Sequence, residues 1–146
     1  MGMNEQPIPV LPCLCANFRR ATRAITQLYN KSLRPLGLQA PQFTVLQALS
    51  LVGEVSQGKL GRILATDSTT LTRTLEVMRR KGHLTTRYGQ DRRERWLCLS
   101  DAGETQLKRA LPHWEKAQAR LRRKLGKDGW ENLLKLTYRV TNLATE

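Results

Sequence analysis

A mainly α-helical domain carrying one small β-hairpin is the fold that this 146-residue sequence predicts. Three observations lead there. Apolar residues recur at helical spacing through six segments of the chain. Two of those segments are joined by only three residues, Ala65, Thr66 and Asp67. Two runs of strand character, Leu84 to Tyr88 and Arg95 to Ser100, flank an arginine-rich turn. The length suits one domain with a core of its own.

Residues 1–12, with Pro7, Pro9 and Pro12, read as an extended leader. The first helix is expected from about Cys13, where Leu14, Phe18, Ala21, Ile25 and Leu28 form one stripe to be buried and Arg19, Arg20, Arg23 and Lys31 fall elsewhere. Pro35 and Gly37 end it. Pro41 stands in the first turn of a second helix bearing Val45, Leu46, Leu49 and Val52, and Gly53 stops that helix. Ser56 caps a short third helix with Leu60, Ile63 and Leu64. In the fourth, Leu71, Leu75 and Met78 make the apolar stripe, opposite Ser68, Thr69, Thr72, Arg73, Glu76 and Arg80. After the hairpin, Leu107, Leu111, Trp114, Leu121 and Leu125 define a long fifth helix, and Trp130, Leu133, Leu134, Val140 and Leu143 a last one. Pro112 lacks an amide donor and is expected to kink the fifth.

Charge points to the partner. Twenty-five Lys and Arg against twelve Asp and Glu give a formal charge of +13 and a pI near 10.5, which favours a polyanion. No apolar run reaches a membrane span and the start lacks signal-peptide features, so a cytoplasmic protein is expected. Three cysteines, Cys13, Cys15 and Cys98, form no disulfide framework, and packing in the second hairpin strand accounts for Cys98. No glycine-rich phosphate loop, nucleophile elbow or clustered acids are present, so neither an enzyme nor a cofactor is expected. Cys13 and Cys15 could supply soft metal ligands, but His83 and His113 stand alone, and no metal site is assigned.

Small hydroxyls and an arginine on the fourth helix suit close approach to bases in a major groove, although an ordinary solvated face has similar composition. The hairpin tip weighs for the first reading. Arg92, Arg93 and Arg95 suit the negative potential of a narrow minor groove, and Asp91 is placed to hold one guanidinium. A tight helix pair followed by a basic hairpin is a winged helix-turn-helix. The run from Leu60 to Gly103 resembles the DNA-binding core of the MarR family. Ser68, Thr69, Thr70, Leu71, Thr72 and Arg73 resemble the start of its recognition helix, Lys81 and Gly82 the exit, and Asp91, Arg92 and Arg93 its wing-tip Asp-x-Arg. Leu99, Ser100, Asp101, Ala102 and Gly103 resemble the Leu-Thr-x-x-Gly that opens the next helix. The wing departs from the pattern in its short turn without proline, and His83 replaces an apolar residue.

The resemblance implies a winged-helix lobe over 41–100 within a single domain over 13–146, with dimerisation helices at 13–34 and 102–146. It implies a homodimer on a pseudo-palindromic site, acting as a repressor and released by a small aromatic effector or an oxidant. The effector pocket is expected between the first, second and fifth helices. Cys15 near a helix N-terminus, with Arg19 one turn on, has features that favour a thiolate. Cys15, Tyr29 and the Pro41, Gln42, Phe43 segment also match the spacing of the family's organic-hydroperoxide sensors, although Arg19 stands where those carry a tyrosine. Packing of Cys13 and Cys15 at the dimer interface is the favoured alternative. The rival to a regulator is an architectural DNA-binding protein with little sequence preference.

Overall fold

The computed structural model describes residues 7–143, so residues 1–6 of the expected leader and residues 144–146 lie outside it. Residues 7–11 carry no regular structure and are tied to the first helix, α1 (Leu14–Leu33). The Arg20 guanidinium donates to the Pro9 carbonyl at 2.9 Å and the Asn17 amide to that of Leu11 at 2.6 Å. Cys13 is the extended residue before the helix and Cys15 lies in its first turn.

The expected apolar stripe of α1 is not buried by this chain. Leu14 and Ala21 are exposed, Phe18, Ile25 and Leu28 are half-buried, and Leu33 alone is buried. Among the described residues that face is only partly covered. A short 3-10 turn (Arg34–Leu36) and Gly37, at φ 67°, redirect the chain into α2 (Ala40–Val52). Asn30 Oδ1 accepts the first α2 amide, Ala40 N–H, at 2.7 Å, and Gln42 Oε1 that of Gln39 at 3.2 Å. Helix ends leave such donors unsatisfied, so these contacts fix where α2 starts. Phe43, Val45, Leu46, Ala48 and Leu49 place α2 in the middle of the core.

Gly53 ends α2 and is followed by β1 (Val55–Ser56), α3 (Gln57–Leu64), α4 (Ser68–Arg80), β2 (Leu84–Tyr88) and β3 (Arg95–Leu99). The hairpin is therefore part of a three-stranded antiparallel sheet in the order β1-β3-β2, with Val55 opposite Leu97 and Leu84 opposite Leu99. A two-residue strand is too short to show alternation, so β1 left no pattern in the sequence. The second hairpin strand ends at Leu99, one residue earlier than expected. Ser100 turns the chain instead, its hydroxyl donating to the Gly82 carbonyl at 2.5 Å and accepting the Gly103 amide at 3.0 Å.

The last element, α5 (Asp101–Leu143), contains the expected fifth and last helices. The kink is not at Pro112, as predicted, but at Gly126, whose φ of 71° and ψ of 167° are the only non-helical dihedrals inside it. Such a φ favours glycine. Pro112 is exposed, which leaves water to satisfy the carbonyl one turn earlier, and its fixed φ is itself helical. At the other end, a Cβ on Gly103 would lie 2.1 Å from the His83 carbonyl oxygen. Only glycine lets α5 start this close to the exit of α4.

Leu33, Val45, Leu46, Leu60, Met78 and Leu97 are all but inaccessible, and they join α1, α2, α3, α4 and the sheet around one centre. Phe43 stacks on Trp114 of α5, with ring centroids 5.8 Å apart. The C-terminal half of α1 runs antiparallel to α5, since Ser32 Oγ donates to the His113 carbonyl at 2.6 Å and Tyr29 Oη to Gln118 Oε1. No helix among the described residues is long and apolar enough to cross a membrane.

Candidate nucleic-acid interface

The tight joint is built from local contacts. Ser56 Oγ accepts Lys59 N–H at 3.2 Å and starts α3, while Ala65, at φ 49°, takes the left-handed turn that ends it. A Cβ on Gly61 would lie 3.5 Å from both Leu71 Cδ2 and the Thr66 carbonyl oxygen, so α3 and α4 are in close contact. Asp67 caps α4, with Thr70 N–H donating to Oδ1 at 2.9 Å and Thr70 Oγ1 to Oδ2 at 2.7 Å. The Thr70 amide and hydroxyl hold the Asp67 carboxyl below its usual range. Burial of Leu71, Leu75 and Met78 then leaves Ser68, Thr69, Thr70, Thr72 and Arg73 facing outward, all exposed.

In the hairpin, the Gly89 amide donates to the Glu94 carbonyl and the Glu94 amide to the Asp91 carbonyl, each at 2.9 Å. The Asp91 carboxylate accepts the backbone N–H of Arg93 at 3.0 Å, and among the described residues it forms no ion pair with an arginine. It shapes the turn rather than holding a guanidinium, because an aspartate two residues before an amide closes that bond locally. Asp91, Arg92, Arg93 and Arg95 are all exposed. The strands themselves are braced by Arg87, which makes two bonds to Glu54, at 3.0 and 2.5 Å, and lies 5.2 Å from the centre of the Trp96 ring. Hydrogen bonding from Arg87 lowers the Glu54 pKa.

Between α3, the start of α4 and the wing lies a concavity of about 900 Å³. It gathers Lys59, Arg62, Ser68, Thr72, Arg93 and Arg95. Of the residues singled out in the sequence, Ser68, Thr72, Arg93 and Arg95 thus come together. Thr70 does not join them: its hydroxyl is held by Asp67, and it lines a separate hollow of about 270 Å³ with Thr26, Thr44 and Thr74. Thr69, Arg73, Asp91 and Arg92 are exposed outside both linings. Lys59 and Arg62 were missed by the sequence reading. Their spacing of three on the polar side of a capped helix was the available signal.

The cysteines stand apart from this face. Cys13 and Cys15 are exposed at the start of α1. Tyr29 lies fourteen residues after Cys15, about 21 Å along the helix, and its hydroxyl is engaged by Gln118. Burial raises the Tyr29 pKa. Among the hollows that border α1, one is shared with α2, α3 and α4 and one of about 370 Å³ with α5, so each of these involves two of the three helices expected around an effector. Among the described residues no three His, Cys, Asp or Glu side chains are grouped to hold a metal ion.

A capped helix pair whose second helix exposes a polar face, followed by a basic hairpin on a three-stranded sheet, defines a winged helix-turn-helix protein. Residues 36–94 match the sequence profile of the MarR family. The Mycobacterium tuberculosis transcriptional regulator MosR, solved in complex with DNA, superposes with a TM-score of 0.82 at 34% identity, over 91% of this chain and 96% of that one. YwoH of Bacillus subtilis, an uncharacterized HTH-type transcriptional regulator, is 30% identical over 91 residues, a stretch covering 62% of this chain and 66% of that protein's length. A mutant Escherichia coli MarR complexed with operator DNA shares the fold, with a TM-score of 0.77 at 23% identity over 87% of this chain and 92% of that one. The chain belongs to the MarR family of transcriptional regulators.

Proposed function

We propose that this protein is a repressor that binds a pseudo-palindromic DNA site as a homodimer, with α4 in the major groove and the wing in the minor groove. The observation that carries this reading is the concavity between α3, α4 and wing, where four cations outnumber the one carboxylate, Glu94, and share a face with four small hydroxyl residues. Cations there neutralise phosphates and set register, while short side chains at the start of α4 allow its backbone close to base edges. Ser68, Thr69, Thr72 and Arg73 are assigned to the major groove, and Arg92, Arg93 and Arg95 to the minor groove. Thr70 and Asp91 serve by shaping α4 and the wing turn.

Release follows from a signal that binds, or modifies, the two spacings of the lobes unequally, since a ligand with equal affinity for both shifts nothing. A small aromatic molecule in a hollow beside α1, or oxidation at Cys15 or Cys13, is the signal class the arrangement supports.

Fluorescence anisotropy on the protein's own upstream duplex and on random duplexes, at fixed salt, tests the reading. Selective binding is expected, relaxed in base preference by Arg73→Ala. Arg93→Ala should weaken binding to all duplexes and lower the salt slope by about one. Equal binding of all three proteins to both duplexes would favour an architectural protein. Loss of binding after an organic hydroperoxide, absent in Cys15→Ser, would identify the oxidant as the signal; indifference to it would direct the search to small aromatic ligands.

A further inference from the structure

One side chain bridges the two helices of the reading head. Gln57, the first residue of α3, donates from Nε2 to Thr72 Oγ1 on α4 at 3.2 Å. The Thr72 hydroxyl in turn donates to the Ser68 carbonyl at 2.7 Å. Gln57 and Thr72 both line the concavity, and both also border a smaller recess floored by Leu75, Leu84 and Leu97. The pair therefore stands where the reading surface meets the core.

The chain of bonds uses up the freedom of Thr72. Its single proton goes to Ser68, one lone pair accepts from Gln57, and one remains to face a ligand. For Gln57, one N–H is committed, while the second N–H and the two lone pairs of Oε1 are left over. An amide carrying both a donor and an acceptor is the group that pairs with the N6 and N7 edge of adenine in a major groove. A freely rotating glutamine would have to be ordered on binding. Here the bond to Thr72 restricts it beforehand, so less rotamer entropy is lost when the duplex arrives.

We infer that Gln57, positioned by Thr72, is a specificity-determining residue that reads an A·T pair in each half-site. This rests on the regulator reading above. It assigns sequence discrimination partly to α3, whereas Ser68, Thr69 and Arg73 are all on α4.

The test is competition binding of a half-site library, randomised one base pair at a time, to the native dimer and to Gln57→Met, Thr72→Val and the double variant. Methionine keeps the length of the side chain without its polar atoms, and valine keeps the shape of threonine. Circular dichroism and melting of each variant establish that it is folded, and Thr72→Ser, which retains the hydroxyl, provides the rescue. Gln57→Met is expected to lose about tenfold of the preference at one A·T pair, the scale of a single mismatched position, while its salt slope is unchanged. Thr72→Val should lose part of the same preference, Thr72→Ser should restore it, and the double variant should lose no more than Gln57→Met. A uniform loss of affinity across the library, or a fall in salt slope, would overturn the inference and make Gln57 a phosphate contact. No preference in the native protein would overturn the regulator reading itself, whereas selection by the native protein that survives Gln57→Met removes only the inference about Gln57.

Discussion

The two ends of the molecule are built to different degrees of completeness. From Leu33 to Ala110, one continuous cluster of buried side chains joins five helices and the sheet. Beyond Ala117 no described residue is buried, and Leu134, Leu136, Tyr138 and Leu143 are each more than half exposed. The first helix repeats the contrast within twenty residues, buried at Leu33 and open at Leu14. Apolar surface left in water costs about 25 cal/mol per Å², so the helical end has the composition of half an interface. The lobe and the parts of α1 and α5 packed on it share one core, whereas the outer parts of those two helices would gain one only in the proposed dimer.

Substitutions can break or sharpen that contrast. The largest effect is expected where the two ends meet. Gly103→Ala places a methyl group against the His83 carbonyl, and a backbone neighbour has no rotamer by which to yield. A loss of about 3 kcal/mol in urea unfolding is expected, the class of strain at a special backbone position; an unchanged midpoint would mean that α5 can shift away freely.

A smaller effect belongs to the open end. Leu134→Glu combined with Tyr138→Glu should raise the dimer dissociation constant by about a hundredfold in sedimentation equilibrium, as loss of apolar anchors does. The lobe should keep its fold and its weak binding to a half-site. If the variant remains as dimeric as the parent protein, the second half of α5 is not the interface.

Within the lobe, Ser56→Ala removes the cap on Lys59 N–H and should cost about 1 kcal/mol, measured by thermal melting. The loss should appear without any change in oligomeric state. A shift in sedimentation would instead show that lobe and interface are coupled.

The smallest effect depends on pH. His83 Nδ1 is buried without a hydrogen-bond partner among the described residues, and burial, helped by the charge of Lys81, holds its pKa below the ordinary 6.5. The unfolded chain therefore takes up this proton first as pH falls. Its stabilising contribution is complete above about pH 6.5 and declines as pH drops through the folded value. His83→Leu should flatten that part of the stability profile between pH 7.5 and 5.5, and an identical slope in both proteins would remove the assignment.

Much of the lobe was legible because its signals are local. Asp67 and Ser56 announce helix starts by their own chemistry, and Leu71, Leu75 and Met78 announce a buried stripe by spacing. What was hidden depends on contacts across the chain. Glu54 meets Arg87 thirty-three residues away, β1 exists only because Leu97 and Trp96 lie opposite it, and Gln57 reaches Thr72 across the joint. Lys59 and Arg62 belong to the concavity because the wing folds back beside them. Of the proposed contact residues, Ser68, Thr72, Arg93 and Arg95 line one concavity. Spacing alone could not separate Thr70, turned into the cap, from Thr72, two residues on and turned into the concavity. The misplaced kink has the same origin: a proline's cost depends on whether its orphaned carbonyl is wet, which only the fold determines.

The close seating of α5 on the exit of α4 also makes the molecule a lever. From Asp101 to the break at Gly126 the helix is about 37 Å long, and its first turn is fixed to the root of both α4 and the wing through Ser100 and His83. A tilt of only about 5° at the far end would swing the near end through about 3 Å over that length. That displacement is large against the tolerance of a base contact, so in the proposed dimer a modest rearrangement at the helical end would be geometrically sufficient to throw the two lobes out of phase with successive turns of a duplex.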